Sequence, residues 1–163
     1  MNHQQTQKHK IHTLETLLPL VQSWKQDNQK IVFTNGCFDL LHPGHVDYLN
    51  KAADLGDHLI VALNTDASVQ KLKGPHRPIQ SEAARLQIMA GLECVSAVFL
   101  FSEDTPLEVL TEILPHTLVK GGDYTIETIV GARLIMQHGG NVEVIPFLEG
   151  YSTSSIEKKI KLS

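Results

Sequence analysis

The sequence has few cysteines, few aromatic residues and no long apolar segment. Its two cysteines, Cys37 and Cys94, are too few for a disulfide framework or an all-cysteine zinc site. No uninterrupted apolar run approaches the ~20 residues that a membrane-spanning helix needs. The polar segment 1–12 also lacks the apolar stretch of a secretory signal. We therefore expect a cytoplasmic protein in a reducing compartment, with no membrane partner.

Basic residues are also in deficit. Fourteen Lys and Arg stand against eighteen Asp and Glu, so the formal net charge is -4. Proteins that bind nucleic acid broadly are usually basic, so this class is disfavoured and small molecules are the expected partners. The apolar fraction of 42% is ordinary for a globular protein. We predict a mobile N-terminal tail at residues 1–12 and one globular domain at 13–163.

Short apolar segments alternate with segments of helical periodicity. The predicted strands lie at 31–34, 59–63, 95–101, 117–119 and 142–145. The predicted helices lie at 13–26, 45–55, 81–92, 106–114, 126–138 and 152–161. Continuous apolar strands between helices predict an α/β fold, a Rossmann-like doubly wound sheet of about five parallel strands. Such folds bind ligands beyond the carboxyl ends of the strands, where the strand order reverses.

The segment TNGCFDLLHPGH, residues 34–45, follows the first predicted strand and opens a helix. Gly36 permits a tight turn and close approach of the backbone to a phosphate. His42 and His45 lie at the start of the helix, where backbone N–H groups favour anions, and Gly44 leaves room for a ligand. Two imidazoles there can stabilise charge that develops on a phosphate. The structural alternatives are a helix cap and a packed core histidine; a zinc site lacks a third ligand at a recognised spacing.

Three further segments have both a functional and a structural interpretation. The segment 150–154, GYSTS, provides a second helix start with hydroxyl groups, or simply an N-cap. The segment 71–78, KLKGPHRP, is a basic loop that either meets phosphates or is a solvated charged loop. The segment 120–124, KGGDY, lets a flat base or a sugar approach the backbone, or is a plain turn.

The segment from Gly36 to His45 resembles the HxGH signature of the cytidylyltransferase-like nucleotidyltransferases. The resemblance extends over residues 30–160. It implies ATP or CTP as donor, pyrophosphate as product, and Mg²⁺ as cofactor, held mainly by the triphosphate rather than by a protein cage. It also implies catalytic roles for His42 and His45 at the α-phosphate and for Lys73, with Lys71 as the alternative.

The same resemblance and the positions after the strands supply the other site residues. For the nucleotide and its phosphates we predict Thr34, Asn35, Gly36, Cys37, Phe38, Arg85, Gly121, Ser152, Thr153 and Ser154. For the acceptor we predict Asp39, Asn64, Asp66, Arg77, Gly122, Asp123 and Tyr124.

Within this family the chain is most similar to the branch that adenylylates D-glycero-β-D-manno-heptose 1-phosphate for lipopolysaccharide core synthesis. Phe147 stands where glycerol-3-phosphate cytidylyltransferases usually carry Arg. The resemblance implies ATP and a sugar 1-phosphate as partners, and it favours a homodimer. A glycerol-3-phosphate cytidylyltransferase and a non-catalytic nucleotide sensor remain the alternatives. A flavodoxin-like redox protein is disfavoured, because Cys37 and Cys94 lack the C-x-x-C spacing.

Overall fold

The computed structural model describes residues 2–163. Its strands are β1 (Ile31–Gly36), β2 (His58–Asn64), β3 (Ala97–Phe101), β4 (Thr117–Gly121) and β5 (Asn141–Ile145). Its helices are α1 (His3–His9), α2 (Leu14–Gln26), α3 (Pro43–Ala53), α4 (Asp66–Lys73), α5 (Glu82–Ala90), α6 (Leu107–Ile113), α7 (Ala132–Gln137) and α8 (Thr153–Leu162), with a 3₁₀ turn at Ile126–Thr128. Among these residues no helix is both long and apolar enough to cross a membrane.

The five strands form one parallel sheet in the order β3-β2-β1-β4-β5, which confirms the predicted Rossmann-like α/β fold. The order reverses between β1 and β4. These two strands pair only through Val32–Thr117 and Phe33–Leu118, although both continue further. They therefore separate toward their carboxyl ends. The crevice that opens between them is the place where this fold binds ligands.

Two hydrophobic clusters cover the two faces of the sheet, because successive residues of a strand point to opposite faces. Ile31 and Phe33 of β1 pack with α2, α6 and α7, whereas Val32 packs with α3 and α5. Leu17 of α2 and Leu49 of α3 are fully buried. Each such side chain contributes roughly 1.5–3 kcal/mol to stability. The rigid layers fix the carboxyl ends of the strands at one edge.

Two helical predictions need correction. The predicted loop 71–78 begins inside α4, which Thr65 caps by accepting a hydrogen bond from the Ser68 amide. Because the last turn of α4 is mostly polar and charged, the sequence shows no helical spacing of apolar residues there. Gly74, with φ 99°, caps the helix. The predicted helix 126–138 is interrupted by Gly131, at φ 86°, so that only its second half is α-helical.

Residues 2–12 form helix α1 and then pair with β3, which corrects the prediction of a mobile tail. The Val98 amide donates to the Lys10 carbonyl at 2.8 Å, and the His12 amide donates to the Val98 carbonyl at 2.9 Å. This parallel bridge covers part of the outer edge of the sheet, where unpaired backbone groups would otherwise be exposed. Backbone contacts of this kind leave no hydrophobic pattern in the sequence.

Candidate active site

A cavity of about 390 Å³ lies at the crevice between the carboxyl ends of β1 and β4. The residues that line it are Asn35, Gly36, Cys37, Phe38, Asp39, His42, Gly44, His45, Tyr48, Lys73, Lys120, Gly121, Tyr124, Phe147, Leu148, Tyr151, Ser152 and Thr153. The predicted residues of the segment after β1, of the segment after β4 and of the start of α8 therefore meet in one place, apart from the exceptions described below.

His42 and His45 stack against each other at the start of α3. Their ring centroids are 3.8 Å apart, with an interplanar angle of 26°. Nδ1 of His42 accepts a hydrogen bond from the Gly44 amide at 3.1 Å, so His42 is also the N-cap of α3. Since Nδ1 is an acceptor, the neutral ring carries its proton on Nε2, which is free to donate to a ligand. The capping and the ligand-binding interpretations of His42 are thus compatible.

The surroundings of both histidines favour the neutral imidazole. Burial lowers the pKa of His45 to about 4, and repulsion from Lys73 and from a protonated His42 ring adds to this shift. The Leu40 backbone opposes the shift, but its geometry falls short of a hydrogen bond to Nδ1, which is buried without a partner among residues 2–163. Burial also lowers the pKa of His42. A phosphate in the cavity would raise both pKa values by Coulomb attraction.

Gly36 and Gly44 line the cavity, and both are also required by the packing of neighbouring side chains. Gly36 is the last residue of β1, and the left-handed residue of the turn is instead Phe38, with φ 46°. A Cβ atom on Gly36 would lie 2.9 Å from the Phe38 ring. A Cβ atom on Gly44 would lie 2.9 Å from Cε1 of His42. The expected room for a ligand at Gly44 is in fact the space that the His42 ring occupies.

Asp39 anchors the signature segment. Its carboxylate, 2% exposed, accepts from the amides of Ile79 and Gln80 at 2.9 Å and from Nε of Arg77 at 2.7 Å. Burial alone would raise the pKa of Asp39, but the hydrogen bonds from Gln80, Ile79 and Arg77 outweigh it and hold this pKa below its usual value. Nη1 of Arg77 also pairs with Glu157 of α8 at 3.3 Å. Arg77 does not line the cavity, and its guanidinium is held by these two carboxylates, which corrects its predicted place beside the acceptor.

Arg85 does not reach the cavity, contrary to the prediction of a nucleotide contact. Its side chain is fully buried and donates to the carbonyls of Cys37 at 2.9 Å and Asn64 at 2.7 Å. It also donates to the Gln80 carbonyl and pairs with Asp66 at 2.7 Å. Arg85 joins the ends of β1 and β2 from beneath the site.

Several other predicted residues lie beside the cavity without lining it. Thr34 is buried and its hydroxyl contacts the Tyr48 hydroxyl at 2.7 Å. Asn64 donates to the Ser68 hydroxyl at 3.0 Å. The remaining members of this group are Asp66, Gly122, Asp123 and Ser154. Their proposed ligand contacts stay predictions that the cavity lining does not support.

The two candidate lysines of α4 are separated by the fold. Lys73 lines the cavity, whereas the exposed Lys71 lies 3.4 Å from Asp104 outside it. On the far side, Ser152 caps α8 by accepting from the Ser155 amide. Thr153 follows in the first turn of α8, where backbone amides have no helical acceptor, so this wall of the cavity favours anions.

Five lining residues were not assigned a role from the sequence: Tyr48, Lys120, Phe147, Leu148 and Tyr151. The signal for Lys120 was present, since it directly precedes the two glycines after β4. Tyr151 lies within the predicted segment 150–154, and Phe147 marks the position that separates the acceptor branches, but neither was given a contact; Tyr48 and Leu148 have no such signal. Burial raises the pKa of Tyr48 to about 12, and its hydroxyl donates to the Val119 carbonyl at 3.2 Å. Tyr48 thereby links α3 to β4 under the cavity floor.

The comparisons with known proteins agree with this geometry. The family described as cytidylyltransferase-like matches residues 33–159. The chain is 52% identical over 151 residues to the bifunctional protein HldE of Trichlorobacter lovleyi, covering 93% of this chain. It is 53% identical over 146 residues to HldE of a Marinomonas species, covering 90% of this chain. It spans only 31% of the length of each relative.

Two solved structures share the fold. The lipopolysaccharide core biosynthesis protein from Thermoplasma volcanium is 29% identical, with a TM-score of 0.59 over 76% of this chain and 99% of that one. A pantoate-beta-alanine ligase from Francisella tularensis is 19% identical, with a TM-score of 0.61 over 93% of this chain and 77% of that one. The second likeness concerns the fold alone.

Proposed function

Since the chain belongs to the cytidylyltransferase-like family, we propose that it transfers the adenylyl group of ATP to D-glycero-β-D-manno-heptose 1-phosphate. The products are ADP-heptose and pyrophosphate. The choice of acceptor rests on the sequence resemblance to heptose-phosphate adenylyltransferases, and the similarity to HldE proteins supports it. The observation that carries the proposal is the stacked pair of His42 and His45 in the crevice between β1 and β4.

The chemistry needs no nucleophile from the protein. A phosphate oxygen of the acceptor attacks the α-phosphorus of ATP, a new P–O bond forms, and the bond from the α-phosphorus to the bridging oxygen breaks as pyrophosphate leaves. Nε2–H of His42 donates to an α-phosphate oxygen, and His45 contributes beside it. Charge that builds on these oxygens is stabilised by donors already in place, which is where such sites gain most of their rate.

The remaining residues of the cavity hold the leaving group. Lys73 and the start of α8 at Ser152 and Thr153 supply positive charge and amides on the walls of the cavity. No group of three His, Cys, Asp or Glu side chains that could hold a metal occurs within residues 2–163. Asp39, the carboxylate in the cavity lining, is already occupied by two amides and Arg77. We propose that Mg²⁺ enters the cavity with the triphosphate, where it would neutralise the phosphates.

The test is pyrophosphate release by the purified chain with Mg²⁺, with ATP or CTP crossed with heptose 1-phosphate or glycerol 3-phosphate. We expect release only with ATP and heptose 1-phosphate. Release with another pair would keep the reaction type and replace the substrates. Binding of ATP without release from any pair would favour the nucleotide sensor.

His45→Ala tests the residues that carry the proposal. Loss of one preorganised donor costs about 10²–10³ in kcat, so we expect at least that factor in a folded variant. His138→Ala is the matched control, because His138 is exposed at the end of α7. Near-normal kcat for His45→Ala would contradict the assigned role.

We also propose a cytoplasmic location and a homodimer. Light scattering of the purified chain tests the homodimer.

A further inference from the structure

Lys120 is a half-buried cation at the edge of the crevice. It is the penultimate residue of β4, directly before Gly121, and its side chain lines the cavity. In the part of the chain that the structure describes, no carboxylate lies within 4.0 Å of Nζ and the ammonium has no hydrogen-bond acceptor. Burial lowers the pKa of Lys120, and the neighbouring Cys37 only partly opposes this.

The two arginines next to the site, the buried Arg85 and the half-buried Arg77, behave differently. Arg85 pairs with Asp66, and Arg77 pairs with both Asp39 and Glu157. A buried charge without a partner is costly unless a ligand supplies the opposite charge. Lys120 therefore has the environment of a ligand-binding cation rather than that of a structural ion pair.

The reaction brings two anions into one cavity, a triphosphate and the phosphate of the acceptor. The donor phosphates already have His42, His45, Lys73 and the start of α8. Arg77, the cation expected from the sequence at the acceptor phosphate, is held by Asp39 and Glu157 outside the lining. Among residues 2–163, Lys73 and Lys120 are the lysines and arginines that line the cavity. Lys73 is already assigned to the donor phosphates, so Lys120 is the lining cation that has no phosphate assigned to it.

We propose that Lys120 binds the phosphate of the acceptor and holds its attacking oxygen toward the α-phosphate of ATP. This inference rests on the proposed adenylyl transfer. The backbone of Lys120 is held in place by strand β4, whereas Lys73 is the last residue of α4, next to Gly74. A group on a rigid element positions a reactant more accurately than one at a loop. The ligand class is a sugar phosphate monoester, recognised through its phosphate.

The experiment compares Lys120→Met and Lys120→Arg with the wild type in the pyrophosphate assay, with ATP and heptose 1-phosphate varied separately. We expect Lys120→Met to raise KM for heptose 1-phosphate about 10- to 100-fold, the range of one charge-assisted hydrogen bond. KM for ATP should change less than about twofold, because its phosphates keep their own donors. Lys120→Arg should recover part of the loss. An equal rise of both KM values, or an unchanged KM for the acceptor, would overturn the proposal.

Two further measurements distinguish phosphate binding by Lys120 from a purely structural role. The Tm of unliganded Lys120→Met should be equal to or above that of wild type, because an unpaired, half-buried charge has been removed; a fall of more than about 5 °C would indicate a structural role. Lys51→Met, at an exposed lysine paired with Asp47 on α3, is the control.

If wild type releases no pyrophosphate, the proposed function fails. Calorimetry with heptose 1-phosphate then still tests Lys120: tighter binding to wild type than to Lys120→Met supports it, and equal or absent binding overturns it.

Discussion

Nη1 of Arg85 donates a hydrogen bond to the carbonyl oxygen of Cys37 at 2.9 Å. The same atom donates to the Asn64 carbonyl at 2.7 Å. One guanidinium thus connects the segments that leave β1 and β2, directly beneath the cavity. The turn at Phe38, a left-handed residue, depends on this support, because an unfavourable backbone conformation persists only where its surroundings fix it.

Arg85→Met should therefore destabilise the protein strongly. The substitution leaves the buried Asn64 carbonyl and the half-buried carbonyls of Cys37 and Gln80 without their donor, and each buried acceptor that loses its partner costs about 1–3 kcal/mol. The pair with Asp66 adds less, because the Asp66 side chain is 36% exposed. Denaturant unfolding would measure this loss. Arg133→Met, at an exposed arginine of α7, is the matched control and should change stability by less than about 0.5 kcal/mol. Equal stabilities of the two variants would contradict the role of Arg85.

Features with a local sequence pattern could be predicted, whereas features that depend on tertiary contacts could not. Continuous apolar strands and the segment from Gly36 to His45 are local patterns, and they correctly predicted the parallel sheet and the place of the cavity. Arg85 was misplaced because a motif position does not reveal whether a side chain points into a cavity or beneath it. Tyr48 enters the site through helix packing, which is a property of the folded chain, whereas Lys120 had a local signal in the segment 120–124 that was not assigned a role. Residues 2–12 are held by the backbone bonds to Val98 and by the single side chains of Gln7, Lys10 and Ile11, which are too few to form a hydrophobic pattern in the sequence.

The double role of His42 can be separated by two substitutions. His42→Asn keeps an N-cap acceptor for α3, whereas His42→Ala removes it, and loss of a cap costs about 1 kcal/mol. Both variants lose the Nε2–H donor. We expect kcat to fall about 10²–10³ in both, while only His42→Ala loses stability in urea. A fully active His42→Asn would show that the cap is the whole role of this residue.

Stability should fall on mild acidification. Because the pKa of His45 is about 4 in the folded protein and about 6.5 when unfolded, the unfolded chain binds more protons between these values. Above pH 6.5 the imidazole is neutral in both states, so its burial costs no stability. As the pH falls from 6.5 to 4, the free energy of unfolding decreases, because the unfolded chain takes up a proton that the folded protein does not. Below pH 4 both states are protonated and the loss is constant. The loss of Tm between pH 7 and 4.5 should thus be smaller for His45→Gln than for wild type. Identical pH profiles would contradict the burial of this imidazole.

Lys73 and Lys71 give a direct comparison of two neighbouring lysines. Lys73 lines the cavity and Lys71 lies beside Asp104 outside it. Lys73→Met should lower kcat about 10²–10³ through loss of a cation at the leaving pyrophosphate. Lys71→Met should stay within about twofold, since exposed ion pairs contribute little. Steady-state kinetics decides between them, and the reverse order of effects would move the catalytic role to Lys71.

Ile11 tests whether the first residues of the chain belong to the fold. Its side chain is partly buried and packs against the cluster beside β3, next to the bridge to Val98. Full burial would make the cost of Ile→Ala about 2–5 kcal/mol; for this partly buried position we expect about 1–2 kcal/mol in denaturant unfolding. Ile160→Ala is the control, because Ile160 is 65% exposed on α8. If Ile11→Ala were as neutral as the control, the segment would behave in solution as the mobile tail that its composition predicts. A measurable loss would instead mean that covering the edge of β3 contributes to the stability of the sheet on which the site is built.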